Sequence, residues 1–278
     1  MSKYKLHETL NRKKVVLFVS IEGGVLKSTS ADKFVSQARA SGYKVAFYDA
    51  DHHNKYSNYK KYKTMDSKGN VLADDEFIGC KNLDISKEAA LIINASDIPA
   101  DFVVFDLGAN KFEEAVSGLK DIQDFFLSFS DELSNADLVL SIPVSNDKCL
   151  RTFDVAYSWV KGVDEDEVVF PIRIVSIINE GFMKNDEALL EKTMNLYEKD
   201  NFIELMNNDK RFDFKEVVLK GSFDDQNNMK NMLEVTNFGD AINAMNESPT
   251  LIRRLLNKHK ADANNLFEQY IDTESSEE

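Results

Sequence analysis

Val15-Val16-Leu17-Phe18-Val19-Ser20, followed at once by Ile21-Glu22-Gly23-Gly24-Val25-Leu26-Lys27-Ser28-Thr29, is the stretch whose reading decides the fold. An apolar run of strand length passes through two glycines into a helical pattern over Ser28 to Ala40,. Such a turn aims the unpaired backbone N–H groups of a helix N-terminus at one point, where a polyphosphate can sit. Gly23 and Gly24 permit a tight turn and close approach of the backbone to oxygen atoms,. Lys27 is then the cation for the β- and γ-phosphates, and the Ser28 hydroxyl completes the shell of a Mg²⁺ ion,. Val25, Leu26 and Thr29 complete the phosphate-binding loop.

Outward from this loop, the same rhythm repeats. Strands are expected at Val45 to Asp49, Phe102 to Asp106, Leu138 to Ile142 and Val168 to Ile178, the last trimmed by turns, with a short edge strand at Val217 to Leu219. Helical spacing covers Glu113 to Phe129, Asp147 to Val160, Asp186 to Glu198 and Asp240 to Asn246,. Strands alternating with helices predict an α/β fold, a mainly parallel sheet with helices on both faces. In such a sheet the strand ends share one edge with the loop, so Asp49, Asp51 and Asp106 are candidates to surround one metal ion and an attacking water,.

The 278 residues carry a formal net charge of −14, which disfavours a broad nucleic-acid surface while leaving room for a local basic patch,. Two such patches stand out. Tyr56, Tyr59 and Tyr62 among Lys55, Lys60, Lys61 and Lys63 read either as tyrosines packing a short basic helix down or as a surface for cargo, nucleic acid or membrane,. Leu251, Ile252, Leu255 and Leu256 with Arg253, Arg254, Lys258, His259 and Lys260 form an amphipathic helix, docked on the sheet or offered to a partner,. No segment has the roughly 20 apolar residues that cross a bilayer, and the polar start reads as cytoplasmic, without a signal peptide,. Cys80 and Cys149 read as free core thiols,. The expected organisation is one domain over 1–260, with a C-terminal helical region, and an acidic, partly disordered tail over 261–278.

The Glu22 to Thr29 loop resembles the phosphate loop of the ParA/MinD superfamily of P-loop ATPases, KGGxxK followed by Ser or Thr, at both glycines, the lysine and the hydroxyl. The resemblance runs through most of the chain and implies a P-loop NTPase fold with ATP and Mg²⁺ as ligands. It implies that Asp49 orients water, that Asp106 is linked to Mg²⁺ ahead of a switch containing Gly108, and that Asn179 hydrogen-bonds adenine. Leu138 to Ile142 with Pro143 is similar to a later family strand and its proline. Asp51-His52-His53-Asn54 and Asp106-Leu107-Gly108-Ala109 look like the plasmid-stability and conjugal-transfer branch, the StbB/TraL-like proteins. The resemblance implies a homodimer that positions DNA, directly or through an adaptor, or a protein cargo; the lack of a long apolar segment argues against stable membrane insertion,. Two positions depart from the pattern. Glu22 replaces the family's defining lysine, and a carboxylate there repels phosphate unless it turns outward or meets another cation,. Leu26 replaces a glycine, which costs on the order of 1–2 kcal/mol if its backbone is left-handed. Whether the loop turns ATP over slowly, or belongs to a non-hydrolysing adaptor, therefore stays open. A metabolic P-loop kinase fits less well, because Arg39, Arg151 and Arg173 are scattered rather than gathered in a lid.

Overall fold

Alternating apolar residues on the strands place Val15, Leu17 and Val19 in one buried cluster and Val16 and Phe18 in another, the period of two expected when both faces of a sheet are covered. The computed structural model describes residues 5–8, 10–51, 75–88, 90–109, 111–112, 122–130, 135–221 and 250–272. The seven strands among the described residues are β1 (Lys13–Phe18), β2 (Val45–Ala50), β3 (Lys81–Asn82), β4 (Phe102–Leu107), β5 (Ala136–Val144), β6 (Ile172–Ile178) and β7 (Phe212–Val218). They form one all-parallel sheet in the order β3-β2-β4-β1-β5-β6-β7. The six longer helices among the described residues are α1 (Lys27–Ala40), α2 (Ile122–Ser130), α3 (Arg151–Val160), α4 (Glu187–Tyr197), α5 (Asn201–Asn208) and α6 (Thr250–Glu268).

β1 lies at the centre, between β4 and β5. The chain crosses from β1 to β2 on one side and later continues to β5, β6 and β7 on the other, so a crevice opens at the carboxyl end of β1. One cluster packs Phe125, Phe126 and Phe129 of α2 and Phe153 and Trp159 of α3 on the sheet. The other packs Phe34 and Val35 of α1 with Leu266, Phe267 and Tyr270. Pro143 is tolerated inside β5 because the Ser141 carbonyl, pointing to β1, meets the Val19 N–H at 3.0 Å. Two residues on, the proline ring faces the same side beyond the last β1 partner, where no ladder bond is lost,.

Several expectations need correction. The edge strand is seven residues long, because Asp213, Lys215 and Glu216 mask its apolar pattern, as charged residues commonly do on a sheet edge,. The helix α5 and the two-residue β3 were not anticipated; α5 starts at Asp200, whose carboxylate accepts the Phe202 and Ile203 N–H groups,. Asp147–Leu150 is a 3₁₀ turn ahead of α3 rather than its first turn. The boundary expected at residue 260 falls inside α6, and the tail from 261 is structured as far as it is described. Ala263, Leu266 and Tyr270 are fully buried, and Tyr270 shares a 2.7 Å hydrogen bond with Ser141. Asp272 pairs with the buried Lys14 ammonium at 2.8 Å and lies 3.5 Å from Arg173. This half of α6 is docked on α1 and the sheet. The basic tyrosine segment at 55–63, His52 to Asn54, the helix expected at 240–246 and residues 273–278 lie outside the described residues. No helix among the described residues is long and apolar enough to cross a membrane.

A buried charge cluster ties α6 to this frame, and a half-buried one joins β6 to β7. Lys33 of α1 and Asp262 of α6 form a 3.4 Å ion pair, with side chains 2% and 6% exposed, and the same carboxylate accepts the N–H groups of Lys220 and Gly221 at 2.9 and 3.0 Å. Burial pulls the Lys33 ammonium below its ordinary value against the opposing pull of Asp262. Asp262→Ala is expected to cost about 3–5 kcal/mol in urea denaturation, since it strands a buried cation. A loss under about 1 kcal/mol would show the cluster to be dispensable. Burial opposes ionisation of Asp213, but Arg173 at 2.7 Å and Lys215 outweigh it and hold this carboxyl below the usual range. Its contribution is therefore complete above the ordinary carboxylate value of about 3.9 and is lost as pH falls through the lower folded value. The melting-temperature gap between the native chain and Asp213→Asn should be present at neutral pH and close in strong acid.

Candidate functional site

The turn that follows β1 is built by a few specific restraints. The Ile21 N–H donates to Thr152 Oγ1 of α3 at 3.3 Å, and the Glu22 N–H to Ser20 Oγ at 3.1 Å. Gly24 adopts φ 72°, and a side chain on Gly23 or Gly24 would meet nothing within 4 Å, so the backbone there faces open space. Val25 turns inward, 1% exposed, and pins the loop to the apolar cluster under the sheet. Leu26 then adopts φ 62° and ψ 19° as the residue capping α1. It is the one non-glycine residue with positive φ among the described residues. The strain anticipated at this substitution is thus present, about 1–2 kcal/mol by the usual cost of a left-handed L-residue. No side chain caps α1 and no acid lies in its first turn, so its N–H groups and dipole are presented to an incoming anion.

Lys27 and the acids meet at the adjoining strand ends. The Lys27 ammonium lies 2.8 Å from Asp106 Oδ1, with the side chains 7% and 0% exposed. Asp106 sits between Phe18 of β1 and Asp49 of β2 in the strand register, which puts the two carboxylates level on the face that α1 covers. Asp49 is buried and its Oδ1 accepts the Asp51 N–H at 3.0 Å. Gly108 lets β4 leave close beside Asp51: a Cβ there would stand 2.9 Å from the Lys111 side chain and 3.6 Å from Asp51 Oδ1. Ser28 and Thr29 lie in the first turn of α1, both half-buried. Among the described residues, no three His, Cys, Asp or Glu side chains converge as a ready-made metal cage. The carboxylates of Asp49 and Asp106, level in the strand register, are oxygen donors of the kind that suit Mg²⁺, which is commonly held by one or two carboxylates together with substrate phosphates.

Asn179 is placed apart from this cluster, at the carboxyl end of β6. It is 1% exposed; its backbone N–H donates to Val144 and its side-chain amide to the Ile177 carbonyl at 3.3 Å. On the other face of the loop is a cavity of about 340 Å³, lined by Glu22, Gly108, Phe112, Arg151, Thr152 and Trp159 among others. Arg151 and Thr152 carried no signal in the sequence, because their relation to Ile21 and Glu22 spans about 130 residues and exists only once α3 packs. Burial pushes the neighbouring Cys149 thiol up, with the Glu22 charge adding to the effect.

The sequence model of the CobQ/CobB/MinD/ParA nucleotide binding domain matches residues 16–277. No curated protein matches the chain. Solved structures of similar shape include a plasmid partition protein of Borrelia burgdorferi bound to AMPPNP, 15% identical, covering 94% of this chain and 98% of that one, with a TM-score of 0.47. MinD from Aquifex aeolicus is 16% identical, with 92% and 97% covered and a TM-score of 0.44. McdA from Cyanthece is 12% identical, with 90% and 99% covered and a TM-score of 0.49.

The left-handed backbone at residue 26 makes a direct forecast. Leu26→Gly removes the strain but adds unfolded-state freedom worth about 0.5–1 kcal/mol, so stability should rise by up to about 1 kcal/mol. Leu26→Ile, β-branched in the same conformation, should lose more than 1 kcal/mol. Equal losses for both in urea denaturation would contradict a strained loop.

Proposed function

The chain belongs to the CobQ/CobB/MinD/ParA nucleotide-binding family, and on that premise we propose that it is a ParA-like, ATP-dependent switch that positions plasmid DNA or a protein cargo. The observation that carries this reading is the buried Lys27–Asp106 pair at the mouth of an uncapped glycine turn. Each member is the group that one half of a metal-bound nucleotide needs. Lys27 turns from Asp106 to the β- and γ-phosphates, and the loop N–H groups from Gly23 to Thr29 take the remaining phosphate oxygens. Asp106 and the Ser28 hydroxyl would hold Mg²⁺, with Asp51 beside them; the ion, when bound, neutralises charge on the phosphates. Exchanging partners in this way leaves neither buried charge alone, which is the costly outcome for an ion pair withdrawn from water.

Asp49 aligns the attacking water, held in place by its bond to the Asp51 backbone,. Asn179 takes the adenine edge by exchanging its bond to Ile177. The switch acts as a homodimer, and the net charge of −14 favours reaching DNA through an adaptor over a broad direct surface,. Asp106-Leu107-Gly108-Ala109 supports the plasmid-stability and conjugal-transfer branch within the family. A second reading, a non-hydrolysing adaptor of the same fold, is favoured by the strain at Leu26 and the carboxylate at Glu22.

Calorimetric titration of ATP with Mg²⁺ tests the reading. Lys27→Ala should weaken binding by about 30-fold or more, the effect of removing one partner of a buried charge contact. In Asp106→Asn, affinity should no longer rise with added Mg²⁺. Absence of saturation at millimolar ATP in the native chain, or equal affinity in Lys27→Ala, would end the nucleotide assignment. Phosphate release separates the two readings. Asp49→Ala should keep the affinity and lose turnover if the chain is an ATPase, whereas an adaptor releases no more phosphate than Lys27→Ala does.

A further inference from the structure

Glu22 places a carboxylate at the entrance of a loop assigned to an anion, and a cation, Arg151, lines the same cavity. The hydrogen bond from Ile21 N–H to Thr152 Oγ1 ties the loop to the start of α3. Glu22 and Arg151 are each one residue along from the bonded pair, and both line the same cavity. Glu22 is half-buried, and Arg151, the first residue of α3, is exposed. No carboxylate among the described residues lies within ion-pair distance of Arg151; the charge that it influences is Asp154, on the next turn. Lys27, the other cation of the loop, is engaged by Asp106.

We propose that Arg151 is the counter-ion of Glu22, a positioning residue that closes on the carboxylate when nucleotide enters and so lets the loop accept phosphate without the family's lysine. The long side chain of an arginine can cross the cavity mouth while its stem covers the apolar wall made by Val155 and Trp159,. Pairing removes the negative potential at the loop entrance, and it leaves the phosphate contacts themselves to Lys27 and the backbone. Arg151 therefore acts through Glu22 and touches no phosphate. Its effect must vanish when Glu22 carries no charge, which a merely structural role would not do.

The inference rests on the nucleotide-binding reading, and a double-mutant cycle separates the two. ATP with Mg²⁺ is titrated by calorimetry into the native full-length chain, Arg151→Gln, Glu22→Gln and the double variant, each first shown to be folded by circular dichroism. Arg151→Gln should weaken binding about tenfold, the scale of one unbalanced charge near a partly exposed site, and less in high salt. Arg151→Lys should keep most of the affinity. Glu22→Gln should bind at least as tightly as the native chain, and the double variant should match Glu22→Gln within about twofold. An unchanged affinity in Arg151→Gln, or the same loss in the Glu22→Gln background, would overturn the pairing while nucleotide binding stands. No binding by the native chain or by Glu22→Gln would overturn the nucleotide reading and this inference with it.

Discussion

A lysine ammonium and an aspartate carboxylate, 2.8 Å apart and both withdrawn from water, sit where the central strand hands over to the first helix. A buried charge of either sign is costly alone, and the two are tolerable here because each is the other's partner. This pairing sets the conditions for everything around it. The strand β4 must end level with β1 for Asp106 to be in reach, and α1 must begin at Lys27 rather than a residue later. The turn between them must be short enough to leave the helix N-terminus uncapped. In the proposed switch the same two groups serve as a structural ion pair and as the contacts that an anion and a cation, arriving together, would take over.

The surroundings make that exchange local. Val25 anchors the turn on one face of the sheet, while Phe34 and Val35 hold α1 against the other. Lys33, one turn and a half along α1 from Lys27, is fixed in turn by Asp262 of the last long helix. Backbone strain is thus confined to Leu26, ahead of the helix, while α1 itself is braced by α6 and the sheet. The same bracing explains why α6 continues past the boundary expected from charge alone: Tyr270 and Asp272 close the lower edge through Ser141 and Lys14.

Much of this was legible in the chain itself, for reasons that can be named. Continuous apolar runs such as Phe102 to Phe105 mark strands buried on both faces, and Gly23-Gly24 ahead of Lys27-Ser28 marks a turn into a helix. β7 was read too short because Asp213, Lys215 and Glu216, distributed over both faces of this edge strand, interrupt its apolar pattern. The last helix was cut too early because its acidic and polar neighbours hide residues spaced to reach Lys14 and Arg173, far away in sequence. Arg151 looked scattered for the same reason: its place beside the loop depends on Thr152 meeting Ile21.

Local order along the chain determined the parallel α/β architecture, the position of the glycine turn and the identity of the residues at strand ends, since periodicity and backbone freedom are properties of short segments. Only the tertiary structure decided which charges face one another. Lys27 with Asp106 and Lys33 with Asp262 join residues dozens to hundreds of positions apart, and Glu22 and Arg151 come to line one cavity. Coulomb energy and desolvation depend on distance and burial in three dimensions, and neither quantity exists until the sheet has brought the strand ends into register.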